Sequence, residues 1–164
     1  MKKMLFLVML ILVVWPGEAA RLTKRPLIEL GPKASLYISS VNFGLGAEMV
    51  VNPLRSVGLR MDLAELSFGD GGTRFSFNRL ALDALIYIPV RGIKPYGFLG
   101  FGLSANGATH LTFRGGLGLN YAIARSADIY IEPGVIVDFV DIPDGSRTDA
   151  TFRLSAGGRF GILK

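Results

Sequence analysis

The chain has 164 residues, half of them hydrophobic, with no cysteine and a formal net charge of +5. The lack of cysteine excludes a disulfide framework and a lipoprotein anchor. Basic residues are scattered singly apart from a cluster at Arg21, Lys24, Arg25 and Lys33, so the charge predicts no nucleic-acid partner.

Residues 1–19 are predicted to be a cleaved signal peptide. A basic start precedes an apolar stretch from Met4 to Trp15, and Gly17 and Ala19 fit the small-residue positions of a signal-peptidase site. The apolar stretch is shorter than the ~20 residues that a membrane-spanning helix needs. We therefore expect export, with residues 20–34 as an N-terminal extension and residues 35–164 as one β domain.

Apolar and polar residues alternate along most of this domain with the period of two that is typical of strands. The alternation predicts strands at 42–52, 56–68, 74–90, 95–106, 110–124 and 128–140, and a last strand after a polar loop at 141–150. An earlier strand is expected at 34–41, with 24–31 as the alternative. Unbroken alternation from Tyr37 to Val51 leaves one long strand open. The pattern slips near Ala64-Glu65-Leu66, which predicts a bulge.

The connections between these strands differ in composition. Those near residues 53, 92 and 126 are short and basic, whereas those near 70, 107 and 145 are richer in Gly, Asp, Ser, Thr and Asn. Such alternation is typical of periplasmic turns and longer outer loops.

The segment 110–124 shows what the two strand faces are. One face carries Leu111, Phe113, Leu117, Leu119, Tyr121 and Ile123, and the other carries Arg114 and Asn120 among small residues. Full charges recur on the second face of other strands, where a soluble core would not tolerate them. The pattern predicts an all-β fold, an eight-stranded antiparallel up-and-down transmembrane β-barrel.

Two segments resemble a known family. Both resemble strands of small outer-membrane β-barrel proteins, the group that includes the OmpA membrane domain and OmpX. The first resembles the PYxxxGxG strand of this group and reads Lys94-Pro95-Tyr96-Gly97-Phe98-Leu99-Gly100-Phe101-Gly102. The second reads Gly116-Leu117-Gly118-Leu119-Asn120-Tyr121. The resemblance implies location in the cell outer membrane, contact with its lipid and lipopolysaccharide, and insertion by the barrel-assembly machinery. The assembly signal would be Ser155, Gly157, Phe160 and Ile162. The family usually ends on an aromatic residue, whereas this chain ends Ile162-Leu163-Lys164.

The charged face predicts what fills the barrel. An eight-stranded barrel is just wide enough inside for side chains to fill it, so inward charges should interlock in a salt-bridge network and leave no diffusion pore. We expect Asp128, Asp138 and Arg153 near the rims, in water. The predicted network comprises Glu48, Arg60, Asp62, Arg79, Asp83, Arg114, Glu132, Arg153 and Arg159.

No catalytic, cofactor or metal site is predicted. His110 is the only histidine, with Thr112 two residues away, and the acidic segment with Asp141, Asp144 and Asp149 is interpreted as solvated rather than calcium-binding. We expect a monomeric, non-enzymatic outer-membrane barrel that contributes to envelope integrity or surface interaction. One alternative is a lipid- or lipopolysaccharide-modifying barrel enzyme that uses His110. Another is a soluble periplasmic lipocalin-like carrier, which the charged face disfavours because ligand cavities are mostly apolar.

Overall fold

The computed structural model describes residues 25–38, 42–69, 72–76, 80–88, 90, 93–105, 109–142 and 145–163. The predicted signal peptide lies outside these residues. The described strands are β1 (Ile28–Tyr37), β2 (Asn42–Val51), β3 (Val57–Gly69), β4 (Gly72–Ser76), β5 (Leu80–Tyr87), β6 (Ile93–Ala105), β7 (Thr109–Ala124), β8 (Ala127–Ile142) and β9 (Gly145–Leu163).

The strands form one closed antiparallel sheet. Each strand pairs with the next along the chain except β4, which does not pair with β5, and β1 pairs with β9 to close the ring, with Ser35 opposite Ser155. Strands β4 and β5 both pair with β3, at Glu65–Gly69 and Val57–Met61 respectively, so together they fill one position in the barrel. The single strand predicted at 74–90 is therefore two strands, and the ring has eight positions. The predicted eight-stranded barrel is confirmed.

The first strand differs from the prediction. It begins at Ile28, inside the segment expected to be an N-terminal extension, and ends at Tyr37, so it matches neither 34–41 nor 24–31. One long strand through Val51 is also wrong, because β1 and β2 are antiparallel partners. Pro32 hides the alternation in the sequence, and the β1–β9 register has no pair at this residue or at Gly31. The missing proline N–H thus falls where that ladder is interrupted.

The bulge in β3 is confirmed. Ala47 lies opposite Ala64 and Glu48 opposite Asp62, so Leu63 is the extra residue. The extra residue reverses the side-chain alternation that follows it. Glu65 consequently lies within reach of Tyr37, whose hydroxyl donates to Glu65 Oε1 at 2.7 Å.

The predicted loop at 141–150 is instead the tip of a β8–β9 hairpin, and connections at both barrel ends are only two to five residues long. Connection length therefore does not distinguish the ends. We call the end with the connections after Val51, Tyr87 and Ala124 the turn end, and the opposite one the loop end. At the loop end the β1–β9 pairing stops at Tyr37 and Arg153. None of the described strands pairs with the other edge of β9 over residues 145–150.

The outer wall of the barrel is apolar. Leu99 and Leu117 are 71% and 70% exposed, while Arg114 and Asn120 on the opposite face are buried. The predicted assignment of the two faces in 110–124 is confirmed. No helix among the described residues is long and apolar enough to cross a membrane.

Candidate functional site: the charged barrel interior

Charged side chains from many strands meet inside the barrel. The nine charged residues named below are all buried except Asp62, which keeps 13% of its side chain exposed. Of the predicted network, only Arg79 lies outside the described residues. The interior charges are Lys33 of β1, Glu48 of β2, Arg60 and Asp62 of β3, Asp83 of β5, Arg114 of β7, Glu132 of β8, and Arg153 and Arg159 of β9.

Arg60 lies at the centre of this network. Its Nε donates to Asp83 Oδ2 at 2.7 Å, its Nη2 also contacts Asp83, and its Nη1 donates to Glu132 Oε2 at 2.5 Å. Glu48 Oε2 lies 3.6 Å from the same Nη1. One guanidinium therefore joins carboxylates from three other strands.

The network continues toward the loop end through Arg114. This guanidinium contacts Asp83 and donates to Asp62 Oδ2 at 2.5 Å. Lys33 Nζ reaches Asp62 Oδ1 at 2.6 Å and lies 3.9 Å from Glu65 Oε2. With Glu65 included, five cations of the described network face five carboxylates, so these residues are electrically balanced.

Toward the turn end, Arg159 donates to Glu48 Oε1 at 2.7 Å and to Asn120 Oδ1 at 3.2 Å. Its guanidinium lies 4.2 Å from the ring centroid of Tyr130. The Tyr96 hydroxyl donates to Glu132 Oε2 at 2.8 Å. These rings fill the space between ion pairs and exclude water, which strengthens the ion pairs.

Small residues on neighbouring strands make room for these side chains. Gly118 lies opposite Tyr96, and a Cβ atom there would overlap its ring. Gly100 lies opposite Asp83, and a Cβ atom there would overlap the carboxylate and approach Leu82 O to 2.7 Å. Glycine is therefore required by close approach at both positions.

Two rim expectations need correction. Arg153 is 1% exposed and donates to Glu132 Oε1 at 2.9 Å, because β9 begins at Gly145 and carries Arg153 well inside the barrel. Asp128 is also buried and bonds Lys94 Nζ at 3.1 Å. Asp138 is half-buried and accepts from Thr112 Oγ1 at 2.5 Å.

The polar residues of the first strand are part of the charged interior but were not predicted from the sequence. Glu29, Lys33 and Ser35 all lie on its buried face. The signal was present, since Leu30, Ala34 and Leu36 alternate with them, but Pro32 interrupts it. Ser35 shares a hydrogen bond of 2.9 Å with Ser155, so one residue of the predicted assembly signal also holds the β1–β9 seam. Phe160 and Ile162 of that signal face outward.

The turn end is closed by the chain segment before β1. Leu27 N donates to Leu163 O at 2.6 Å, and Asn52 Nδ2 donates to Pro26 O at 3.0 Å. The Arg25 guanidinium lies 3.5 Å from the centroid of the Tyr87 ring. This segment therefore covers the bottom of the charged interior.

A small cavity of about 50 Å³ lies toward the loop end. Asp62, Arg114 and Arg153 contribute its charged lining, and Ala81 and Ile136 contribute apolar surface. The described residues contain no group of three or more potential metal ligands. The His110 backbone belongs to β7, opposite Ser104 and Val140.

No protein-family model matches the chain, and no curated protein matches it either. Among solved structures, it is similar to a de novo designed transmembrane β-barrel, with a TM-score of 0.56 and 10% sequence identity over 85% of this chain and 98% of that one. It is also similar to Neisserial surface protein A, with a TM-score of 0.52 and 12% identity over 82% of this chain and 94% of that one. At these identities the likeness shows the fold alone. The chain has the fold of a transmembrane β-barrel.

Proposed function

We propose that this protein is a monomeric outer-membrane barrel with a sealed lumen, which acts without catalysis through the surface that it presents at its loop end. The observation that carries the proposal is the continuous network of buried ion pairs from Lys33 to Arg159. A solute path would have to break these pairs, and removing one partner of a buried pair costs about 3–5 kcal/mol.

Location in the outer membrane is supported by three independent features. The sequence predicts a signal peptide, the fold is a transmembrane barrel, and the exposed wall is built from apolar side chains such as Leu99, Leu117 and Phe113. Outer-membrane lipid and lipopolysaccharide would contact this wall. Insertion would use the barrel-assembly machinery, with Ser155, Gly157, Phe160 and Ile162 as the signal.

The sealed lumen is tested by recording from purified, folded protein in planar bilayers. We expect no large, steady conductance, with heat-modifiable gel mobility showing that the sample is folded. A stable current of porin size from the unmodified protein would contradict the proposal.

A role in surface interaction is supported by the edge of β9 that faces away from β8, because none of the described strands pairs with it over residues 145–150. Over residues 145–150 this edge offers backbone donors and acceptors, as in proteins that bind an extended partner strand. Its exposed polar side chains, including Arg147 and Thr148, limit unwanted self-association. A partner with an extended segment would fit this edge.

Exposure of the loop end on intact cells is testable because the chain has no cysteine. Arg147→Cys and Arg55→Cys place single thiols at exposed positions of the loop end and the turn end respectively. A membrane-impermeant maleimide should label only the first variant in intact cells and both in lysed cells. Labelling of only Arg55→Cys in intact cells would reverse the orientation.

The two alternatives have less support. A soluble carrier needs an apolar pocket, typically of about 300–1,000 Å³, whereas the cavity toward the loop end is only about 50 Å³ and has Asp62, Arg114 and Arg153 in its lining. An enzyme using His110 would need an orienting partner for the imidazole, and no motif in the sequence pairs this histidine with a serine and a carboxylate.

A further inference from the structure

An arginine at the turn end, with its side chain about nine-tenths buried, has hydrogen-bond donors without a partner among the described residues. The side chain of Arg25 is 9% exposed, and its Nε, Nη1 and Nη2 have no hydrogen-bond partner among the described residues. The nearest carboxylate oxygens, on Glu29 and Asp128, lie at 3.8 and 3.7 Å, beyond hydrogen-bond distance. A buried charged donor without an acceptor is unfavourable, so this site favours an added acceptor.

The surroundings of Arg25 carry an excess of positive charge. A small hollow is lined by three cations, Arg25, Lys94 and Arg125, and by two carboxylates, Glu29 and Asp128. Arg159 also lines it, but this residue is neutralised by Glu48 at 2.7 Å. Among the described lining residues other than Arg159 the cations therefore exceed the carboxylates by one, and the added acceptor of matching charge is an anion.

The dimensions of the hollow indicate which anion. Its volume is about 10 Å³, close to the ~10–15 Å³ that one water-sized group occupies on this measure. The Lys94 side chain is 32% exposed and Arg125 is exposed, so the mouth of the hollow is open. An anion with one oxygen inside and further oxygens directed at the mouth would meet all three cations.

We propose that the turn end binds a phosphate group, with one oxygen inside the hollow at Arg25 and the others at Lys94 and Arg125. A tetrahedral oxyanion suits cations that approach from different directions, and charge-assisted bonds from Arg and Lys are strong. Exposed apolar side chains at the same end, Leu54 and Ile88, are suited to the headgroup boundary of a bilayer. One source of the phosphate is a phospholipid headgroup, and this assignment rests on the proposed membrane location. Inorganic phosphate is the other.

The first test uses the folded full-length mature protein in maltoside micelles, which contain no phosphate, with inorganic phosphate as the probe. Isothermal titration should show saturable binding that Arg25→Gln and Arg125→Gln each weaken about five-fold. Arg125 lies on an exposed turn, so its variant should fold normally even if Arg25→Gln does not. Arg55→Gln is the matched control, because Arg55 is exposed at the same end but does not line the hollow.

The second test titrates a short-chain phosphatidylglycerol into the same micelles and follows its phosphorus resonance. Binding that both variants weaken, and that inorganic phosphate displaces, identifies one site for both sources. Binding of only one probe, weakened by both variants, supports the site and identifies its source. The proposal is overturned if neither probe binds saturably, or if Arg125→Gln and Arg55→Gln weaken binding equally. Because neither test needs a membrane, the proposed location can fail while this site stands.

Discussion

Removing the Arg60 side chain should destabilise the barrel more than any surface change. Arg60→Ala leaves the carboxylates of Asp83, Glu132 and Glu48 buried without their shared cation. Breaking a buried pair in this way costs about 3–5 kcal/mol of unfolding free energy, and contact with the Phe98 ring, 4.9 Å from the guanidinium carbon, is lost as well. We expect a loss within that range rather than above it, because each of the three carboxylates keeps a second cation, Arg114, Arg153 or Arg159.

The measurement is a urea titration of barrels folded in lipid vesicles, with the folded fraction read from heat-modifiable gel mobility. Gel mobility is preferable to tryptophan fluorescence, since the only tryptophan, Trp15, lies in the predicted signal peptide. Arg147→Ala is the matched control, because Arg147 is 71% exposed and exposed pairs contribute about 0–1 kcal/mol. An Arg60→Ala barrel within about 1 kcal/mol of this control would refute the reasoning.

Three further predictions test the wall, the packing and the chemistry. Leu99→Arg should cost about 2–4 kcal/mol of folding free energy in vesicles, while its control Leu99→Phe is tolerated. Equal refolding yields of these two variants would contradict the assignment of Leu99 to the lipid-facing wall. Gly118→Ala should lower the refolding yield because its methyl group overlaps the Tyr96 ring, and Tyr96→Ala should restore it. Gly97→Ala is the control, since a Cβ there meets only one atom at 4.0 Å. Mass spectrometry of lipid A from overproducing cells should show no modification that depends on His110. A lipid A modification that is present with the unmodified protein and absent with His110→Ala would show that the protein is an enzyme.

The sequence predicts the faces of the central strands well because each of their side chains meets one of two opposite environments. Leu99 lies in the apolar wall and Arg114 in the charged interior, so the period of two is plain. The alternation of apolar and polar residues is lost at the β8–β9 tip, where both faces of the hairpin are exposed to solvent. There Ser146 and Arg147 follow each other, and neither is apolar. That segment therefore resembles a loop in the sequence although it is a strand.

The ion-pair partners could not be predicted from the sequence, because they depend on the register between strands. Arg60 and Glu132 are 72 residues apart and belong to strands that are not neighbours in the sheet. Lys33 was missed for a different reason. Pro32 precedes it and interrupts the alternation that would have assigned the strand.

The pairing of β1 with β9 also constrains the order in which the barrel forms. Every other pairing joins neighbouring segments of the chain, whereas the Ser35–Ser155 contact spans 120 residues and Arg159–Glu48 spans 111. Such distant contacts form slowly because a long loop must close first. The seam should therefore close last, and until then the nascent sheet exposes the backbone edge of β1. Protecting that edge during synthesis and transport is a requirement that the closed barrel no longer has.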